Sequence, residues 1–279
     1  MNDIVTVIFS KDRPLQLDLT LKSNHLHNRQ WVNMPEIVLY KPTDGEYRSA
    51  YKNVQTENYP VDFVEEQSFR EDLVNIVKRF EYVIFLVDDT IFVRQYSPFD
   101  IKEVLQRFSN VVGFSLRLGS NTTYCYPHDA YNAYPTVLEI DSNKDMMIFD
   151  WLTCGFGDFS YPLELSSSMY RVKDIIGLLK TLDYSNPNML EWKLSLHAKR
   201  DFSHKPVLAS YNTSVAFSNP LNRVQEVNNN RALNYESFHP KNLLRLYNDG
   251  WRADPNQFKG FLPIGCHQEV PFEDIDRWV

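Results

Sequence analysis

Glycine and cysteine are both scarce in this chain of 279 residues, which holds 9 and 3 of them respectively. The lack of glycine matters most near the N-terminus. Neither G-x-G-x-x-G nor G-x-x-x-x-G-K-[ST] occurs there, so dinucleotide-binding and P-loop chemistry lack their signatures. Cys125, Cys154 and Cys266 are odd in number and have no C-x-x-C spacing, which argues for a reducing compartment over a disulfide framework or a zinc site. No apolar run approaches the ~18 residues of a membrane span, and no basic-then-apolar leader opens the chain. The expectation is a soluble, cytoplasmic protein without a transmembrane segment. Positive charge is also in deficit: 29 Lys and Arg face 36 Asp and Glu, for a net charge of −7. This argues against bulk capture of nucleic acid or of an anionic membrane, while leaving room for a small basic pocket that takes a diphosphate. No internal repeat or low-complexity tract is visible.

What is present is the mix of an ordinary globular protein, 43% hydrophobic and 23% charged. The length suits one large α/β domain, alone or with a small appendage. Aromatic residues reach 14%. Most should fill the core, and a surplus of Tyr and Trp suits flat, hydroxyl-rich ligands such as sugars.

The chain is organised around Tyr82-Val83-Ile84-Phe85-Leu86-Val87-Asp88-Asp89-Thr90-Ile91-Phe92. A continuous run of β-branched and aromatic residues reads as a strand buried on both faces of a largely parallel sheet. Open α/β sheets bind ligands beyond the carboxyl ends of their strands, where Asp88 and Asp89 fall. Adjacent carboxylates repel, and a hard cation such as Mg²⁺ or Mn²⁺ bridging to substrate phosphates would keep both ionised. A polar turn that caps the next segment accounts for them equally well.

Ile4–Phe9 reads as the first strand, the loop 10–13 follows, and Pro14 opens a helix. Further strands are expected at Glu36–Tyr40, Val61–Val64, Val111–Gly119 and Pro206–Ala216, with a hairpin of Thr136–Ile140 and Met146–Trp151. Helices are expected at Glu46–Lys52, Phe69–Phe80, Pro98–Phe108, Tyr170–Leu182, Met189–Lys199 and Asn242–Asp249. Lys11 and Arg13 suit a phosphate, or simply a solvated loop. Arg70, in a first helical turn where positive charge is unfavourable, suits an anionic ligand or a surface ion pair. Arg117 lies in an apolar strand and needs a phosphate or an acidic partner. Residues 120–135, rich in Tyr, Asn and His, read as a binding loop. Cys154–Pro162 is the most glycine-dense segment, and 219–231 reads as a long loop or lid.

This order of parts resembles the GT-A type nucleotide-sugar glycosyltransferases, especially the bacterial family-2-like group. Val7-Ile8-Phe9-Ser10-Lys11-Asp12-Arg13-Pro14 looks like that group's first strand and loop, and Tyr82–Phe92 like its Asp-x-Asp segment. The spacing departs from Asp-x-Asp, since the matching positions are Val87 and Asp89 with Asp88 between them. The N-terminal ~110 residues carry most of the likeness; the rest matches in order and character. The resemblance implies a mostly parallel Rossmann-like sheet flanked by helices, with a C-terminal extension on the acceptor side. Within one compact domain, residues 1–118 would bind the nucleotide sugar and 119–279 the acceptor.

The resemblance further implies site roles. Ser10, Lys11, Arg13 and Asp44 would meet the base and ribose, and Arg70 the diphosphate or the acidic strand end. Asp89 would bind Mn²⁺ or Mg²⁺. Asp88 would contact the donor or assist with the metal, and His267 would join it. Glu191 is the first candidate for general base, with Asp158 and Glu164 as rivals; Arg117 would help the leaving diphosphate. The remaining histidines at 128, 197, 204 and 239 read as structural or surface groups. The implied reaction moves a sugar, with inversion, from a nucleotide donor, most simply a UDP-sugar, to a glycan or glycolipid in polysaccharide biosynthesis. Peripheral membrane contact and any oligomeric state stay open. Two other readings are kept: a nucleotidyltransferase, which would need a glycine-rich loop absent from residues 10–14, and a non-catalytic carbohydrate-binding protein of the same fold.

Overall fold

The computed structural model describes residues 3–222, 224, 238–272 and the backbone of 275–277. Most of the loop expected at 219–231 therefore lies outside the described residues. In chain order the elements are β1 (Ile4–Lys11), α1 (Pro14–His27), β2 (Glu36–Lys41), α2 (Gly45–Glu57), β3 (Asp62–Glu65), α3 (Phe69–Val77), β4 (Tyr82–Val87) and β5 (Thr90–Phe92). They continue with α4 (Pro98–Arg107), β6 (Val111–Ser115), β7 (Tyr124–Cys125), β8 (Ala130–Tyr131), β9 (Thr136–Asp141), β10 (Met146–Asp150), β11 (Ser167–Arg171), α5 (Val172–Thr181) and α6 (Pro187–Asp201). The last are β12 (Val207–Tyr211), β13 (Ala216–Ser218), α7 (Pro240–Asn248), β14 (Trp251–Ala253) and β15 (Ile275–Arg277).

A 9-stranded sheet of order β3-β2-β1-β4-β11-β6-β12-β10-β9 forms the centre. Only β10 and β11 run against the others in it. The unbroken apolar runs of β1 and β4 are explained by burial on both faces. Ile4, Ile8, Ile84 and Leu86 enter one core cluster, and Val5, Val7, Val83 and Phe85 enter the other. Successive side chains of a strand point to opposite faces, so two apolar layers need both parities apolar. From β1 the chain passes to β2 and β3 on one side and returns to β4 on the other. That reversal opens a crevice between the carboxyl ends of β1 and β4.

The structure corrects several boundaries. The strand expected to end in Asp88-Asp89 stops at Val87, where those two residues form a turn, and β5 beyond them pairs with β13 outside the main sheet. Pro206–Ala216 likewise divides, giving β12 and leaving Ala216 to open β13. β6 stops at Ser115 rather than reaching Gly119. The helix expected from Tyr170 starts at Val172, because Ser167–Arg171 is a strand wedged antiparallel between β4 and β6. α6 begins at Pro187, so Glu191 lies beyond its first turn rather than in it. The hairpin at 136–150 has the expected antiparallel pairing.

Arg171 closes β11 and is buried. Its Nε donates to the Leu105 carbonyl at 2.9 Å, Nη1 to Val111 at 2.7 Å and Nη2 to Phe108 at 2.7 Å. Asp174 balances the charge, 3.0 Å from Nη1. The carbonyls at the end of α4 thus have a cationic donor where no intrahelical partner exists. Arg171→Ala leaves them and Asp174 without it, and should lower unfolding free energy by about 3 kcal/mol. Urea titration checks this; a loss of under about 1 kcal/mol would show that the guanidinium does not hold this junction.

Candidate active site

The crevice is a cleft of about 750 Å³, lined at one side by Ser10, Lys11, Arg13, Asp88 and Asp89. Arg117, Asp158, Glu164, Glu191 and His267 line it as well. Asp44 and Arg70 are not among its lining residues, contrary to expectation. Asp44 caps α2, accepting from the backbone N–H of Glu46 and Tyr47, so its carboxylate is spent on the helix. Arg70 is exposed and its nearest acceptor is the Leu182 carbonyl at 3.5 Å. Lying at a strand end or in a first turn did not aim either side chain at the crevice.

Because the chain has turned at Asp88-Asp89, the two carboxylates converge instead of facing opposite sides. They converge on Arg13. Its Nη1 lies 2.9 Å from Asp88 Oδ1 and 3.1 Å from Asp89 Oδ2. Its Nε donates to Asn222 Oδ1 at 2.8 Å, and Nη2 donates to the Asn222 carbonyl. Asp88 is saturated further: Oδ2 accepts from Ser10 Oγ at 2.8 Å and from the Lys11 N–H at 3.2 Å. Since the single hydroxyl hydrogen of Ser10 goes to Asp88, the Tyr51 hydroxyl, 2.7 Å away, donates to Ser10. Tyr51 accepts in turn from the Arg13 N–H at 3.2 Å. The main chain of the turn is also pinned, by Thr20 Oγ1 on the Asp88 carbonyl and the Asn219 N–H on that of Asp89.

The loop that presents Arg13 passes through Asp12, whose φ of 54° is left-handed, a region Asp tolerates better than most residues. The buried Asp12 carboxylate holds this conformation by accepting from the Thr43 N–H at 2.9 Å. Burial disfavours the Arg13 charge, but Asp88 and Asp89 outweigh it and hold the guanidinium protonated more firmly than usual. Burial raises Asp89 above the ordinary carboxylate range, with Asp88 adding to the rise and Arg13 opposing it.

A second buried pair lies across the cleft. Arg117 Nη2 meets Glu164 Oε2 at 2.8 Å, which answers the expected need of a strand arginine for a partner. Glu164 also accepts from the N–H groups of Ser166 at 2.6 Å and Ser167 at 3.1 Å, and from the Ser168 hydroxyl. Its lone pairs are spent on structure, which removes it from the contest for a proton acceptor. Arg117 Nη1 reaches Ser218 Oγ at 2.9 Å and His267 Nε2 at 3.2 Å. Burial first, then Arg117, pushes His267 down to about 3, so its imidazole is neutral and Nε2 accepts.

Two carboxylates remain. Asp158 follows Gly157, whose φ of 88° permits the backbone to pass against Asn132. Its side chain takes Asn132 Nδ2 at 3.0 Å and Cys125 Sγ at 3.7 Å, and burial raises it. Glu191 is different. Its carboxylate faces the cleft with a backbone N–H of Leu165 beside it, and burial, then Glu164, pushes it up to about 7. A carboxyl group poised there can hold or take a proton near neutrality.

The donors present do not fit the expected Mn²⁺ or Mg²⁺. Among the described residues, no group of three or more His, Cys, Asp and Glu side chains is arranged to hold an ion. Both Asp88 oxygens already accept, three bonds in all, one Asp89 oxygen is on Arg13, and His267 Nε2 is on Arg117. Asn222, Tyr51 and Ser218 are site residues that the sequence reading missed. Asn222 sits in a polar stretch with no pattern, and Tyr51 reads as core.

No protein-family model matches this chain. The chain is 28% identical over 264 residues to the bifunctional glycosyltransferase pgtA of Dictyostelium discoideum, which covers 82% of this chain and 33% of the relative. The chain thus spans about a third of the length of that curated protein. Among solved structures, residues 1–349 of S. aureus TarS match with 10% identity over 78% of this chain and 60% of that one, at a TM-score of 0.46. A cytidylyltransferase of Leptospira borgpetersenii matches with 7% identity over 74% of each chain, at a TM-score of 0.42. Structural likenesses this distant carry no functional argument. The resemblance to glycosyltransferases read from the residues is borne out by the pgtA match, and nothing in these matches narrows it to the bacterial family-2-like group.

Proposed function

We propose that this chain transfers a glycosyl group from a nucleoside-diphosphate sugar, most simply a UDP-sugar, to a hydroxyl of a glycan or glycolipid, with inversion at the anomeric carbon. One observation carries the reading: Glu191, poised near 7, lines the same cleft as the cationic loop Ser10–Arg13. The similarity to the D. discoideum glycosyltransferase supports it. Residues 1–118 would form the donor side and 119–279 the acceptor side. No helix among the described residues is long and apolar enough to cross a membrane.

In the transfer, the bond from the anomeric carbon to the diphosphate oxygen breaks and the leaving nucleoside diphosphate keeps the electron pair. The acceptor oxygen attacks from the opposite face, and its proton passes to the Glu191 carboxylate. Negative charge growing on the diphosphate is met by Lys11 and Arg13 from one side and Arg117 from the other. Arg117 is held to its place by Glu164, which therefore acts through it as a positioning residue.

Glu191→Gln should lower turnover of UDP-sugars by about 10²-fold or more while nucleotide affinity stays within about threefold. Donor hydrolysis, with water standing in for the acceptor, measures the first, and calorimetry the second. Release of nucleoside diphosphate, not pyrophosphate, separates this chemistry from nucleotidyl transfer, and an unchanged rate in Glu191→Gln would remove the proposed base.

The pH dependence has a definite sign. The base works when deprotonated, so kcat/KM should fall about tenfold per unit below a pH of about 7. Folding raises the Glu191 pKa, so ionising it costs stability as pH rises from the ordinary carboxylate range through about 7. Glu191→Gln should accordingly raise Tm at about pH 8 and leave it nearly unchanged at about pH 4. Thermal unfolding at the two pH values checks it.

A further inference from the structure

We infer that the Arg13 guanidinium occupies the place of a divalent cation at the Asp88-Asp89 pair, so that this chain binds its nucleotide without a metal ion. The inference rests on the nucleotide-sugar reading of the cleft and adds to it what supplies the positive charge there. Three observations carry it. Both carboxylates are already bridged by one cation, Nη1 of Arg13, at 2.9 and 3.1 Å. That cation is built in rather than lent by solvent: Asn222 takes Nε and Nη2, Tyr51 takes the Arg13 N–H, and Asp12 holds the loop's left-handed turn. Finally, the guanidinium is largely but not fully covered, its residue lines the cleft, and it keeps one Nη2 hydrogen without a partner among the described residues. A guanidinium carries five N–H donors, and four are spent. The fifth has no partner among the described residues and, on this inference, meets an anion.

A divalent ion on Asp89 would have to sit beside a fixed positive charge that shares the same carboxylate. Expelling Arg13 to make room would break a buried ion pair on both sides and free the Asn222 acceptors, the kind of change that costs several kcal/mol. Lys11 adds the second positive group. Its backbone N–H is used on Asp88, while the residue lines the cleft and its charge acts on Asp12. A largely spent fork with one donor unmatched among the described residues, beside Lys11, suits a diphosphate, whose oxygens accept from both.

The test is nucleotide binding by the full chain, measured by calorimetry with UDP, GDP and CDP in EDTA and again in Mn²⁺, with free Mn²⁺ followed by electron paramagnetic resonance in the absence of nucleotide. The expected result is a Kd for the preferred nucleotide that agrees within about threefold between the two conditions, and no loss of the free-ion signal at equimolar protein. Arg13→Gln, which frees both carboxylates, should bind nucleotide only when Mn²⁺ is added, and should now deplete the free-ion signal. If that variant does not fold, Arg13→Lys keeps the charge without the fork and should lose about tenfold or more in metal-free affinity. Wild-type binding that appears only with Mn²⁺ overturns the inference and leaves the glycosyltransferase reading standing. Absence of binding by every nucleotide under both conditions overturns both. Metal-free affinity unchanged in Arg13→Lys overturns the role given to the fork.

Discussion

Two neighbouring carboxylates in a buried turn are the constraint to which the rest of the cleft is fitted. Like charges this close raise each other's cost of ionisation, and burial multiplies that cost. One guanidinium between them relieves it. Arg13 has to arrive at a fixed place and angle to do so. The left-handed Asp12, the hydroxyls of Tyr51 and Ser10, and Asn222 from 209 positions further along the chain together impose that angle. The first strand, the fourth strand and the segment after β13 are thereby tied at one point. Site and fold share the same bonds, and the charge pattern of the cleft is as rigid as the sheet beneath it.

A second constraint is arranged in parallel. Arg117 and Glu164 neutralise each other while two serine N–H groups donate to the same Glu164 oxygen and the Ser168 hydroxyl to the other. Glu191 lies buried beside that carboxylate, with the Arg117 charge and a Leu165 N–H opposing the rise in its pKa. Burial first, and the fixed Glu164 charge second, raise its proton affinity. One of the two carboxylates is taken up by hydrogen bonds and the other is not, and on the proposed reading that division separates positioning from proton transfer.

Much of the sheet was legible in the residues, for a physical reason. β1, β2 and β4 carry near-continuous apolar runs, Thr6 aside, at 4–9, 37–40 and 82–87, because both faces are buried. β11 was not legible. Its serines hydrogen-bond within the core instead of packing as hydrophobes: Ser168 meets Glu164, and Tyr170 sends its hydroxyl to the Pro162 and Glu164 carbonyls. At the cleft, the carboxylates and basic groups that line it were visible as strand ends and loops. Asp44 and Arg70 were misplaced because sequence position fixes where a residue sits but not where its side chain turns; a helix N-terminus claimed one and solvent the other. The Arg13–Asn222 contact had no local pattern at all, since it joins distant segments through one side chain.

The antiparallel insertion of β11 has a kinetic consequence. Ser167 pairs with Leu86, two positions before Asp88, and Glu164 leads directly into the same strand. The wall bearing Glu164 and the wall bearing Asp88 are therefore welded into a single ladder, unlike two lobes joined by a hinge. Among the described residues no hinge separates those two walls. On the nucleotide-sugar reading, a spent diphosphate would leave by exchanging its contacts with Lys11 and Arg13 for water, with no swing of one wall against the other needed.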